Sequence, residues 1–388
     1  MTGSVHTNLR GRIAVAGIGT GGFPAMPAGS SPLDAMALAS AAALADAGLR
    51  PQDVDGVFAA GLQLFMPTLS LCEYLGLQPT YTDSTQIGGG AFIAHLHHAQ
   101  AAIAAGLCSV ALVAYGSTQK SGAAGFVTHS EANPYETPYG YPGPTAAYAM
   151  VAQRHMHAYG TTREQLAEVA VNARQWALLN PDAAQTEPLT VQDVVTARRV
   201  ADPFTVRDCC MVTDGGGAAV LVSAERAKSL RQKPVYLLGA GEAVSHRSIA
   251  QMPDLASTVA TQSSARAFAQ AGVAPRDIDV VQFYDAFTIM PPLFAEDCGF
   301  CAKGDGGAFL AGGRSAPGGA FPMNTNGGGL SFGHPGMYGI YTIVESVVQL
   351  RGDGGARQIV GAELALAHAP GGYMSSQSTA IFGTEATL

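Results

Sequence analysis

The chain is poor in charge. Only 13% of its 388 residues are Asp, Glu, Lys or Arg, about half of the usual quarter. Its 21 Lys and Arg are outnumbered by 29 Asp and Glu, for a formal net charge of −8. The basic residues form no long cluster, so no nucleic-acid groove is expected. Scarce charge leaves little polar surface, which predicts that part of the surface is covered by another subunit. No stretch of about 18 uninterrupted apolar residues occurs, so no membrane span is expected. The opening MTGSVHTNLRGR lacks the apolar segment of a secretion signal. Six cysteines (Cys72, Cys108, Cys209, Cys210, Cys298, Cys301) are too sparse for a disulfide framework. Together these absences predict a reduced, cytoplasmic protein.

Glycine is abundant instead, with 48 residues, alongside 22 prolines. It has no three-residue period, and runs of Val, Ile, Leu and Ala lie between the glycines, which excludes collagen and a disordered linker. The chain can bury a large core and still spend many positions on tight turns and close backbone approach.

An internal repeat organises it. Residues 41–57 read AAALADAGLRPQDVDGV, and residues 265–281 read ARAFAQAGVAPRDIDVV; nine of the 17 aligned positions are identical. Each copy is a small-residue helix ended by glycine, as a left-handed C′ position requires. A Pro turn, an Asp-x-Asp and a β-branched strand follow. Beyond each copy comes a Gly-rich turn (TQIGGGAF; NTNGGGLSFGHPG), a helix and another apolar strand. Alternating strands and helices predict βαβ units and largely parallel sheets. The expected division is an N-terminal half at 1–232, carrying an inserted loop domain at about 117–204, and a C-terminal half at 233–388. An insertion at the loop end of a sheet commonly forms one wall of a site.

Several long motifs resemble the thiolase superfamily, and within it the sterol-carrier-protein-type branch. They are LTVQDVVTARRVADPFTVRDCCMVTDGGGAAVL, YDAF, NTNGGGLSFGHPG and APGGYMSSQST. The resemblance implies an α/β thiolase fold: a five-layered α-β-α-β-α body of two duplicated halves, as a homodimer. It also implies a nucleophilic Cys at the start of the helix in the first half, where a helix N-terminus favours thiolate. Aligning Gly88 and Ala91 with that pattern puts Thr85 at the nucleophile position. Thr85 has neither the acidity nor the softness of Cys. The family's second Cys falls near Ala369 and is also missing. Covalent acyl-enzyme chemistry is therefore not expected.

His334, in GHP, matches the family His that helps bind a thioester oxygen; such a donor suits a developing enolate. Gly371 and Gly372 match the terminal Gly-Gly loop, which allows a close backbone approach to the thioester. Tyr284 stands in YDAF where thiolases carry the Asn of NEAF, so a phenol replaces a water-holding amide. Tyr338 is a second phenol beyond His334, with Tyr341 as its fallback. A cleft with phenols and enolate donors but no thiol suits retro-aldol cleavage of a β-hydroxyacyl-CoA. The pattern is similar to the thiolase-like steroid side-chain aldolases of bacterial sterol degradation. That likeness implies cleavage of a 17-hydroxy steroid CoA ester to a 17-ketosteroid and propionyl-CoA. It also implies a partner protein with an OB-fold and a zinc-ribbon-like segment. No cofactor is expected in this chain itself: coenzyme A arrives with the substrate, and any zinc belongs to the partner. Two alternatives stand beside this reading: an acyltransferase-like subunit with an atypical nucleophile, and a non-catalytic lipid-carrier or scaffold subunit.

Other signals have plainer readings. Cys298 and Cys301 form a lone C-x-x-C without further ligands and are expected to pack. Cys108 lies in an apolar strand and is expected in the core. His95, His97 and His98 have no carboxylate near them in sequence, so a solvated or interface helix is expected. Gly215–Gly217 precedes a strand, not a helix, and is no dinucleotide fingerprint.

Overall fold

A computed structural model describes residues 9–122, 134–140 and 143–388. The start read as free of a secretion signal falls largely on residues 1–8, and part of the predicted insertion on 123–133 and 141–142; these lie outside the described residues.

Nine strands form one sheet, in the order β3-β2-β4-β7-β1-β8-β11-β10-β9. They are β1 (Ile13–Gly21), β2 (Gly56–Ala59), β3 (Tyr81–Asp83), β4 (Val110–Ser117), β7 (Gly215–Ser223), β8 (Val235–Val244), β9 (Val280–Phe283), β10 (Leu364–Gly371) and β11 (Ser376–Gly383). A separate two-stranded ribbon pairs β5 (Arg199–Ala201) with β6 (Phe204–Thr205). The helices are α1 (Pro32–Ala47), α2 (Pro67–Leu75), α3 (Ala91–Ala104), α4 (Thr145–Tyr159), α5 (Arg163–Ala177), α6 (Val191–Val195), α7 (Ala224–Ala227), α8 (Ala260–Ala271), α9 (Met290–Asp297), α10 (Gly306–Leu310) and α11 (Gly339–Arg351).

The repeat seen in sequence is a repeat of topology. Reading outward from the centre, β1-β7-β4-β2-β3 on one side corresponds to β8-β11-β10-β9 on the other, where Met323 bridges Val281 in place of a fifth strand. The two sides join through a short antiparallel pairing, Ala14 with Tyr236 and Val15 with Val235. α1 ends on Gly48 at φ 72°, and α8 ends on Gly272 at φ 67°, both left-handed. Ser31 caps α1 in a reciprocal box with Asp34. α1 covers β1, β7 and β4 from outside, and α8 covers β8 and β11. α3 and α11 pack on each other, and each touches both halves of the sheet. The layers therefore run α-β-α-β-α, and the core sits on both faces of each half-sheet.

Strand direction departs from expectation. Five of the eight pairings in the large sheet are antiparallel, and only β2–β3, β2–β4 and β9–β10 are parallel. Helices cover both faces whichever way a strand runs, so a continuously apolar strand does not disclose its direction. Gly215–Gly217 are the first residues of β7 itself. A Cβ on Gly216 would lie 2.3 Å from the Ala35 carbonyl, so α1 can approach only a bare strand. Cys108 is buried in the core, as expected. Among the described residues no helix is long and apolar enough to cross a membrane.

Candidate active site

A cavity of about 500 Å³ opens where four chain segments meet. Gly88 and Gly89 come from the turn before α3, and Tyr284, Ala286 and Phe287 follow β9. His334, Gly336 and Met337 precede α11, and Pro370 to Gly372 end β10. Thr145 and Tyr148 of α4 close the insertion side.

Tyr284 and His334 meet at its centre. The Gly336 amide N–H donates to His334 Nδ1 at 3.3 Å, so in the neutral ring the proton sits on Nε2. His334 Nε2 is 2.7 Å from the Tyr284 hydroxyl oxygen and donates to it. Burial lowers the His334 pKa to about 4, so this ring is neutral at pH 7. Burial likewise pushes the Tyr284 phenol well above its usual value. Tyr284 is therefore a neutral phenol whose oxygen accepts from an imidazole. Among the described residues its own proton has the Gly336 carbonyl at 3.5 Å, a weak partner that a bound molecule can replace.

The turn before α3 carries no reactive side chain. Thr85 does not line the cavity; its hydroxyl and amide both donate to Asp83 Oδ1 at 2.7 Å. Gln86, Ile87, Gly88 and Gly89 of this turn reach the cavity. A Cβ on Gly89 would fall 2.3 Å from Tyr284 Cε2, so the tyrosine ring occupies the space beside this backbone.

The remaining residues singled out in the sequence separate. Gly371 and Gly372 line the cavity, but they also serve packing: a Cβ on Gly371 would fall 1.5 Å from the Ile87 carbonyl oxygen. Tyr338 is buried with its ring edge-on to Tyr284, centroids 5.7 Å apart. Its hydroxyl donates to Asn326 Oδ1 at 2.9 Å and is not part of the cavity wall. Tyr341 donates to the Gly216 carbonyl and is also outside the wall. Asp285 turns away from the cavity; one oxygen accepts from the Gly329 amide, and burial raises its pKa to about 8.

Three cavity residues were not foreseen. Tyr148 sits in α4 and donates to the Gly372 carbonyl at 3.2 Å. Cys209 and Cys210 lie in the wall, although neither belongs to the turn where a nucleophile was sought. Burial pushes the Cys209 thiol up to about 12 and Cys210 further still, so both remain protonated. All three lie far along the chain from Tyr284; Cys209 and Cys210 stand inside the DCCMVTDGGGAAVL motif, whereas no local pattern marks Tyr148.

The histidines of α3 need a correction. His95 is fully buried, not solvated, with Nε2 3.0 Å from the Thr85 carbonyl. His98 has carboxylates after all: Nδ1 lies 2.6 Å from Asp83 and Nε2 2.9 Å from Glu242. Both partners are distant in sequence, which is why composition near α3 hid them. Hydrogen bonds donated to Asp83 and Glu242 raise the His98 pKa to about 10. Cys298 is buried and Cys301 partly so, and both are free thiols. Among the described residues no group of three or more His, Cys, Asp or Glu is arranged to hold a metal ion.

Comparison with known proteins adds a family. The family described as "Thiolase C-terminal domain-like" matches residues 241–384. A Mycobacterium tuberculosis protein named 17-hydroxy-3-oxo-4-pregnene-20-carboxyl-CoA lyase is 34% identical over 361 residues, covering 89% of this chain and 92% of the relative. An acetyl-CoA acetyltransferase of Methanothermobacter thermautotrophicus is also 34% identical, over 90% of this chain and 94% of the relative. The solved structure of an Ltp2-ChsH2(DUF35) aldolase superposes with a TM-score of 0.89 at 30% identity, covering 98% of this chain and all of that one.

Proposed function

Because the chain belongs to the thiolase superfamily, in its sterol-carrier-protein-type branch, and presents bare glycine where α3 meets the cavity, we propose that it is a carbon–carbon lyase. It cleaves a β-hydroxyacyl-CoA by retro-aldol chemistry, with Tyr284, His334 and the Gly371–Gly372 turn in its site. The observation that carries this reading is the Tyr284 hydroxyl held at 2.7 Å by His334, with the ring against Gly89.

The reaction moves one proton from the β-oxygen to the α-carbon. The O–H and Cα–Cβ bonds break; a C=O double bond and a Cα–H bond form. The neutral Tyr284 phenol serves as donor to the thioester enolate. As the Cα–Cβ bond breaks, the phenol oxygen takes the proton of the β-hydroxyl while its own proton passes to the α-carbon, and the His334 Nε2–H stabilises the negative charge that gathers on that oxygen. His334 stays neutral throughout, as a hydrogen-bond donor. Tyr338 braces the wall from behind: its hydroxyl holds Asn326, whose Oδ1 also accepts from the Gly328 amide.

The substrate is a 17-hydroxy steroid CoA ester, giving a 17-ketosteroid and propionyl-CoA. The name of the mycobacterial relative supports it, as does a wall rich in apolar groups such as Leu62, Ile87, Val212 and Met337. Exposed Arg247, also in the wall, supplies a cation for the phosphates of coenzyme A. The chain works in the cytoplasm as a homodimer with an OB-fold and zinc-ribbon-like partner. The solved Ltp2-ChsH2(DUF35) aldolase supports that partner, which would hold any zinc.

A second reading, acyl transfer, draws on the acetyltransferase relative and on the two thiols in the wall. Their raised pKa values disfavour it. Incubating the chain and its partner with the steroid ester, without free coenzyme A, tests the two. The lyase releases ketosteroid and propionyl-CoA in equal amounts; a strict requirement for free coenzyme A would establish the transferase instead.

A further inference from the structure

Beside the reaction cavity lies a groove of about 670 Å³, a size within the range of small-molecule sites. Leu62, Leu64, Phe65, Met66 and Leu69 form its apolar wall, and none of its lining residues is charged. Leu62 and Gln86 line both the groove and the reaction cavity, so the two adjoin. The polar side chains of the groove are already engaged within the protein. Gln63 Oε1 accepts from the Ser117 hydroxyl and the Thr118 amide, both at 2.9 Å. The Ser84 hydroxyl bonds that of Thr68, and Gln86 Nε2 donates to the Gly61 carbonyl at 2.9 Å. The apolar groups are open instead: Phe65 is 92% exposed, and Leu69 is 61% exposed although its helix buries Leu71 and Cys72.

Charge and position narrow what this groove can hold. The phosphates of coenzyme A call for a cation. Arg247 offers one in the cavity wall, and it comes from the second half, just after β8. The groove is built only from residues 61–69 and 84–86 of the first half and carries no cation. It suits an uncharged, apolar body that extends from the reaction cavity past Leu62. Such a body would also cover Phe65 and Leu69, whose exposure to water is unfavourable. A β-hydroxyacyl-CoA has one part of that kind, the half that leaves as the ketone.

Building on the lyase reading above, we propose that the groove formed by Leu62, Leu64, Phe65, Met66 and Leu69 seats the fused rings of the ketone-forming half of the substrate. The substrate then lies across the cavity, with its rings in the first half and its coenzyme A toward Arg247 in the second. The bond that breaks sits between them, at Tyr284 and His334. Leu62 and Gln86 mark the passage from the reacting carbon to the rings, and Leu69 of α2 sets which ring systems fit.

Because the two products occupy different places, their binding separates. Equilibrium binding of the 17-ketosteroid and of propionyl-CoA, each alone, is measured on the full chain with its partner. Leu69→Glu sets a carboxylate among the apolar side chains of the groove, at a position already exposed in the fold. It should raise Kd for the ketosteroid about tenfold or more and keep that for propionyl-CoA within about threefold. KM for the steroid ester should rise with it, and kcat should fall less. Leu69→Met stays apolar and should keep ketosteroid binding within about threefold of wild type. Arg247→Ala should give the reverse pattern, weakening propionyl-CoA alone. Retained propionyl-CoA binding also shows that Leu69→Glu is folded at its site. Ketosteroid binding by Leu69→Glu within about threefold of wild type overturns the proposal. If the same variant then sediments as a different oligomer, the groove is a contact between copies of this chain. Equal weakening of both products, the mark of a general structural effect, overturns it as well. Absence of steroid ester cleavage in the wild type is a different failure, that of the lyase reading, and ketosteroid binding still reports on the groove.

Discussion

α3 and α11 hold equivalent places in the two halves, between the same pair of half-sheets, yet they begin differently. The turn before α3 ends in Gly88, Gly89 and Gly90, and its polar side chain in the cavity wall, Gln86, donates to the Gly61 carbonyl. The segment before α11 brings His334, and Tyr338 stands directly before that helix. The turn before α3 contributes space, and the second half contributes the Tyr284 and His334 pair beside it. Tyr284, from the second half, places its ring where a side chain on Gly89 would lie. A side chain on Gly89 and the Tyr284 ring cannot occupy the same volume.

Filling the empty side should break this arrangement most severely. In Gly89→Ala the new methyl meets both the Tyr284 ring and the Pro370 carbonyl, at 2.3 and 3.0 Å. Backbone on one side and a buried ring on the other leave little room to relax. Cleavage should fall about 100-fold or more, measured as kcat at saturating steroid ester. Tyr338→Phe tests the occupied side more gently. It keeps the edge-on contact with Tyr284 but leaves Asn326 Oδ1 with one donor fewer. A loss of about tenfold in kcat is expected, smaller than for Gly89→Ala, with thermal stability lowered by the order of 1 kcal/mol for the buried hydrogen bond.

The smallest effect concerns the support beneath α3. His98 bridges Asp83 and Glu242, and these bonds raise its pKa from 6.5 to about 10. A raised pKa stabilises the fold fully below about pH 6.5, and that stability fades as pH rises toward 10. Glu242 is held down to about 2 by His97 and His98, so its share is lost only in strong acid. His98→Gln should therefore lower the melting temperature by about 2 °C near pH 6. The difference from wild type should shrink by pH 10. A gap that widens with pH would contradict the assigned charges.

Much of the fold was legible because its signals are local. A glycine at a helix end, a following Pro turn and an Asp-x-Asp reveal the repeat at 41–57 and 265–281 directly. Strand direction was not legible, since strands covered on both faces read alike either way. The site divided along the same line. His334 and Tyr284 sit inside long motifs and could be read from them. Thr85 was placed by counting residues from Gly88, and the structure shows its hydroxyl spent on Asp83 instead. Tyr148, Cys209 and Cys210 reach the cavity only through tertiary packing. The carboxylates around His98 come from β3 and β8, which no window along α3 contains.

The central claim is that carbon–carbon cleavage here runs on a phenol and needs no thiol. The most direct measurement compares steroid ester cleavage by Tyr284→Phe with that by the double variant Cys209→Ala, Cys210→Ala. Loss of about 1,000-fold in the first and retention within about tenfold in the second is the predicted result. An active Tyr284→Phe beside an inactive double variant would contradict it and return the chemistry to a cysteine.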